Sequence, residues 1–202
     1  MVNFAVYGLI FVLSLYFRRL RGFSAMETGL AFVPLTAVLI ASNTAAGRIA
    51  ARAGPRLPMW SGLVVGAAGF ALLLGLGMAT SYATILPGFL LIPSGIGLAV
   101  PAMTAALLST VGRGRAGIAA GVLNTVRQTG GALGVAVFGG LMAGPRPVAG
   151  LRTALLVSVL LLAAAAALAA LGIGAGPPAP PPGRGRRGGG LASRSRSAPG
   201  RE

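Results

Sequence analysis

Apolar residues run along this chain in six long blocks, at about 2–17, 29–51, 59–79, 82–108, 117–143 and 151–174, with arginines and turn residues gathered between them. Each block has the length of a bilayer span, and none alternates with a period of two as a lipid-facing barrel strand does. At about 1.5 Å per residue the shortest block reaches roughly 24 Å, enough to cross with little tilt or slight thinning of the membrane. Backbone amides in lipid must find partners within their own segment. The pattern therefore predicts an all-α integral membrane protein, a six-helix bundle over 1–175.

From about Gly176 the pattern stops, and Pro, Gly, Ser and Arg crowd 176–202 with almost nothing apolar to bury. Such a composition predicts a disordered tail.

Composition removes whole classes of chemistry. The chain is 55% hydrophobic and 9% charged, far from a soluble domain. It contains no Cys, His or Asp, and its only acids are Glu27 and Glu202. Thiol chemistry, a zinc site, a carboxylate cage and a paired-carboxylate acid/base centre are all excluded, and the hydroxyls have no adjacent base. The chain is predicted not to be an enzyme, and to carry no metal site and no cofactor.

Charge bears on topology before it bears on partners. All 17 basic residues are arginines, as a GC-rich coding bias would produce, and they give a net charge of +15. Eleven lie in or between the apolar blocks; the other six, Arg184, Arg186, Arg187, Arg194, Arg196 and Arg201, lie in the tail. With the N-terminus in the cytoplasm, the inner side holds Arg48, Arg52, Arg56, Arg113, Arg115 and the tail arginines, eleven against the outer five, Arg18, Arg19, Arg21, Arg146 and Arg152. That count predicts a multi-pass protein of the plasma membrane with both termini cytoplasmic, although Arg18, Arg19 and Arg21 pull the other way. Met1, Val2 and Asn3 supply no positively charged leader, so the first block does not read as a signal peptide. A Met1 almost on the first helix fits a truncated frame. The tail runs around Arg184–Gly190 and Ser193–Ser197 resemble RNA-binding low-complexity segments but lack interleaved aromatics for base stacking. A non-transporting membrane protein whose tail touches anionic lipid or RNA is the alternative reading, with nucleic acid the weaker of the two.

Three places carry polar chemistry inside or beside the blocks. In the fifth block Asn124, Arg127 and Gln128 stand at i, i+3 and i+4, toward one side of a small, apolar helix. An arginine near mid-membrane costs about 2.5–3.5 kcal/mol on insertion scales. It either meets a wet cavity, a carbonyl cluster or an acidic partner, or it snorkels to headgroups. Gly117 with Gly121, and Gly130 with Gly134, form two small-xxx-small pairs suited to close helix approach. Pro34 in the second block and Pro87, Pro93 and Pro101 in the fourth permit bends. Ser24 and Glu27, three residues apart at the entry to the second block, read as a capping box, with a proton-carrier role for Glu27 the lesser alternative.

The loop Gly47-Arg48-Ile49-Ala50-Ala51-Arg52-Ala53-Gly54-Pro55-Arg56, between the second and third blocks of a six-block unit, resembles the G-x-x-x-D-R-x-G-R-R loop of the major facilitator superfamily. Gly47, Arg52, Gly54 and Arg56 match it; the family's aspartate falls on Ala51 and the first closing basic residue on Pro55. The opening Asn3-Phe4-Ala5-Val6-Tyr7-Gly8, the segment Ser24 to Ala31, Arg115 to Gly121 and Asn124 to Gly134 together resemble the C-terminal half of that superfamily's 14-helix drug:proton antiporter branch. The resemblance implies a 3+3 inverted repeat and a conformational loop at Gly47, Arg52, Gly54 and Arg56 without its latching carboxylate. It implies a transport pathway near Asn3, Tyr7, Asn124, Arg127 and Gln128. The partners implied are the lipid bilayer, a small-molecule substrate, protons, and a missing N-terminal half or a second copy, since alternating access needs two bundles.

Overall fold

The computed structural model describes residues 1–77 and 80–172. Helix α1 (Val2–Leu15) passes into a π turn (Tyr16–Leu20); α2 covers Ala25–Ala53; α3 (Arg56–Leu72) closes on a 3-10 turn (Leu73–Gly75). Then come α4 (Tyr82–Ser109), a 3-10 turn at Arg113–Arg115, α5 (Ala116–Met142) and α6 (Pro147–Gly172). No strand occurs among the described residues. The tail expected to be disordered, 176–202, lies outside them.

Several helix starts sit at polar or proline residues ahead of the apolar blocks, while α3 stops at Leu72, short of the expected 79. α2 starts at Ala25 because Ser24 caps it: the hydroxyl accepts from the Glu27 amide at 3.2 Å, and the Glu27 carboxylate accepts from the Ser24 amide at 2.8 Å. It ends at Gly54, whose φ of +77° only glycine adopts without strain. α4 begins behind Ser81, whose hydroxyl accepts from the Thr84 amide at 3.3 Å. α6 opens on Pro147, a residue whose fixed φ suits a first helical position and whose missing N–H would have had no partner there.

Val2–Leu20, Ala25–Ala53, Arg56–Gly75, Tyr82–Ser109 and Pro147–Leu171 are each long and apolar enough to cross a membrane. α5 has the length, with 27 residues, but is not among these five. Asn124, Thr125, Arg127, Gln128 and Thr129 dilute its apolarity, so its place in the bundle rests on packing against α1, itself one of the five. The expectation of six spans thus becomes six helices, of which hydropathy alone supports five.

Packing has an internal symmetry. α1 lies on α5 and α2 on α4; α3 packs on α4 and α6 on α1; α3 meets α6; α2 touches α3 and α5 touches α6; α4 touches α5, and α1 touches α2 through its closing π turn. Exchanging α1 with α4, α2 with α5 and α3 with α6 leaves this list unchanged, the relation expected of two inverted triplets. α4 is the most buried candidate span and α2 the least, with one half-buried side against α4. α3 and α4 approach so closely that a Cβ on Gly62 or Gly95 would run into the other helix's backbone.

An aromatic cluster ties the ends of α1, α2 and α4 together. The Phe17 ring stacks on Phe23 with centroids 5.4 Å apart and meets Phe32 edge-on at 6.1 Å; Phe32 packs on Phe89 at 5.5 Å. Beside it the Tyr16 hydroxyl donates to the Gly77 carbonyl at 2.8 Å, and Arg21 donates to the Thr80 carbonyl at 2.9 Å. Both bonds fasten the α1–α2 turn to the α3–α4 turn, satisfying loop carbonyls that no helix serves.

Candidate functional site

The C-terminal half of α5 is held on α1. Gly134 meets the backbone of Phe4, so a Cβ there would overlap the Phe4 carbonyl oxygen; Phe138 fills the space beside Gly8. The Phe4 and Phe138 rings meet edge-on at 5.2 Å. The Tyr7 ring lies over Gly131, where an added Cβ would come within 3.0 Å of it. The N-terminal half behaves differently. Gly117 and Gly121 have no neighbouring atom within 4 Å of where a Cβ would stand, and Asn124, Thr125, Val126, Gln128 and Thr129 are exposed.

Among the described residues, Arg127 is the only side chain of that half hydrogen-bonded to another helix. It is partly buried, and its Nη2 donates to the Thr104 hydroxyl at 2.8 Å and to the Val100 carbonyl at 3.2 Å, both on α4. The Thr104 hydroxyl itself donates to the Val100 carbonyl at 2.9 Å, so the three groups close a small network on the turn that contains Pro101. Because α4 and α5 touch little elsewhere, this network is a principal tie between them. Of the environments open to Arg127 from sequence, the structure provides a carbonyl and a hydroxyl. Those partners are neutral: they solvate the guanidinium without cancelling its charge.

The five pathway candidates do not form one bonded constellation. Asn3 is half-buried and Tyr7 exposed along the α1–α5 seam, whereas Arg127 lies at the α4–α5 seam and Asn124 and Gln128 point away from the packed bundle. Among the described residues no side-chain hydrogen bond links the α1 pair to the α5 trio. At the α2–α3 loop, Gly47 and Arg52 are exposed, and Gly54 turns the chain, its N–H bonded to the Ala50 carbonyl at 3.0 Å. Arg56 reaches across to donate to the carbonyl of Ala170 at the end of α6, a cation serving the negative end of a helix. Glu27 is bound up in its capping box at the other end of the molecule.

Sequence reasoning did not find Thr104, Val100 or Ala170. An acceptor for Arg127 was required by the cost of its charge, but a carbonyl one turn along a neighbouring helix leaves no mark on the sequence. Pro101 is no signal for them either, since its missing N–H frees the carbonyl of Gly97 rather than that of Val100.

Comparison with known proteins decides the lineage. Residues 1–135 match the family model of the Major Facilitator Superfamily. The chain belongs to the Major Facilitator Superfamily. Multidrug resistance protein Stp of Mycobacterium tuberculosis is 32% identical over 147 residues, covering 70% of this chain and 26% of that protein. Puromycin resistance protein pur8 of Streptomyces alboniger is 39% identical over 137 residues, 65% of this chain and 27% of its own length. The tetracenomycin C resistance and export protein of Streptomyces glaucescens is 30% identical over 148 residues, 71% and 27%. This superfamily chain therefore spans about a quarter of the length of the curated relatives it matches. It is a multi-pass membrane protein of a transporter family, with relatives named for drug resistance and efflux.

Proposed function

We propose that the chain is the C-terminal half of a secondary active transporter that exports drugs or other small solutes by proton antiport. The observation that carries this reading is the combination of one exchange-symmetric six-helix bundle with a match to about a quarter of the length of drug-resistance proteins. Alternating access needs a second bundle, so transport requires a complementary half or a second copy of this chain. The solute meets this half along the exposed sides of α1 and α5, at Asn3, Tyr7, Asn124, Arg127 and Gln128. The loop residues Gly47, Arg52, Gly54 and Arg56 join conformational change to the end of α6 through Arg56.

Proton coupling resides elsewhere. Of the chain's two carboxylates, Glu27 is committed to its cap and Glu202 stands at the final position. The protein resides in the plasma membrane with both termini in the cytoplasm. The arginine count supports that orientation through the six tail arginines; within the bundle Arg48, Arg52, Arg56 and Arg115 lie at one end against Arg18, Arg19, Arg21, Arg146 and Arg152 at the other.

The test is co-expression in a drug-sensitive bacterium with the N-terminal half of a related exporter, reading ethidium efflux and resistance. Expected is energy-dependent efflux with both halves and none with either alone. Efflux no higher than an empty vector, with both polypeptides present in the membrane, overturns the reading.

A further inference from the structure

We propose that Arg127 is the receptor for a carboxylate, supplied by an amphipathic solute or by a side chain of the complementary half. The inference deepens the transport reading and takes its biological meaning from it, but its chemistry stands on this chain alone.

The guanidinium offers five N–H donors in a planar fork, and its bonds to Val100 and Thr104 both leave from Nη2. The rest of the fork remains for a second partner, and a carboxylate fits such an edge with two parallel charge-assisted bonds. Charge points the same way. Among the described residues the only acid is Glu27, held in its capping box at the start of α2, so nothing in this bundle neutralises Arg127. Neutral acceptors hold the side chain in place but leave its positive charge uncompensated within the bundle. Asn124, one helical turn away on the same side and exposed, adds an amide that can donate to the same oxygen pair.

An ammonium-bearing solute is repelled at this position and a neutral one gains only a hydrogen bond. Arg127 thus confers preference for acids on the wall contributed by this half. Thr104 acts as a positioning residue, since its hydroxyl, itself bonded to the Val100 carbonyl, fixes Nη2 of the guanidinium at the α4–α5 seam.

The test uses the full chain reconstituted in nanodiscs of zwitterionic lipid, with three probes of one chain length: octanoate, octanol and octylammonium. Expected is saturable octanoate binding, weakened at least tenfold in Arg127→Gln and partly kept in Arg127→Lys, with octylammonium binding strengthened in Arg127→Gln and unchanged in Arg127→Lys. Equal octanoate binding by wild type and a monodisperse Arg127→Gln, or no saturable octanoate binding by wild type, overturns the proposal. If Arg127→Gln fails to fold, the Lys variant decides: octanoate bound more weakly than by wild type but still in preference to octanol supports the receptor, and octanoate binding equal to wild type overturns it. Adding the complementary half separates the two sources. Octanoate excluded on assembly assigns the site to a side chain of that half, and octanoate retained assigns it to a solute. Absent efflux with intact Arg127-dependent binding removes the transport reading alone; normal efflux with octanoate binding indifferent to Arg127 removes this proposal alone.

Discussion

The two ends of α5 carry the same sequence device and use it in opposite ways. Gly130 and Gly134 in one half and Gly117 and Gly121 in the other are equally spaced small pairs. Gly134 lets the backbone of α1 come to contact, while Gly117 and Gly121 face open space. A small-xxx-small pair therefore states that a helix can be approached closely, not that its own chain does the approaching. In the packed half, burial is supplied by Phe138 and Met142. In the open half, attachment to α4 depends on the polar network of Arg127, Thr104 and Val100. One half is fixed by shape and the other by a charge.

Substitutions can break that contrast, beginning with the packed half. Gly134→Leu places a side chain into the Phe4 backbone and is expected to cost about 3 kcal/mol or more, read as loss of monodisperse protein on size exclusion in detergent. In the open half, a double-mutant cycle between Arg127→Ala and Thr104→Val should return a coupling of about 0.6–1.7 kcal/mol in a reversible unfolding assay, the range of polar pairs between membrane helices. A coupling of zero would mean that the network does not hold α5 to α4. Tyr16→Phe, remote from both halves, removes one bond to the Gly77 carbonyl and should cost about 1 kcal/mol in the same assay. The smallest effect belongs to Gly121→Leu, which should leave the stability of the isolated chain unchanged yet impair efflux when a complementary half is co-expressed. If Gly121→Leu destabilises the isolated chain as much as Gly134→Leu, the division of α5 into a packed and an open half is wrong.

The fold was legible because the bilayer imposes one dominant rule, and the apolar blocks obey it. Helix ends were less so. Hydropathy places the start of the second block near 29, yet Ser24 and Glu27 start α2 at Ala25, and Pro147 starts α6 before its apolar run begins at 151. The π turn at Tyr16–Leu20 was not anticipated either, since its residues read as an ordinary interfacial stretch until Tyr16 and Phe17 are seen buried against the α3–α4 turn. Candidate site residues were recognised as types of chemistry: a charged group in lipid, amides beside it and arginines around a glycine turn. Their partners were illegible because most are backbone carbonyls, which every residue carries alike. The separation of Tyr7 from Arg127 onto different seams of α5 likewise depends on which helices are neighbours, and spacing along one helix holds no record of that.

Arg127 has a further consequence in electrical terms. It is the twelfth of the 27 residues of α5, a permanent charge well inside a helix that runs alongside a membrane span. An elementary charge carried through the whole transmembrane potential changes energy by about 2.3 kcal/mol per 100 mV. Any displacement of α5 along the membrane normal carries this guanidinium through a proportional fraction of that field. With no carboxylate on α5 to move with it, a balance between two positions of the helix along the membrane normal would respond to membrane voltage.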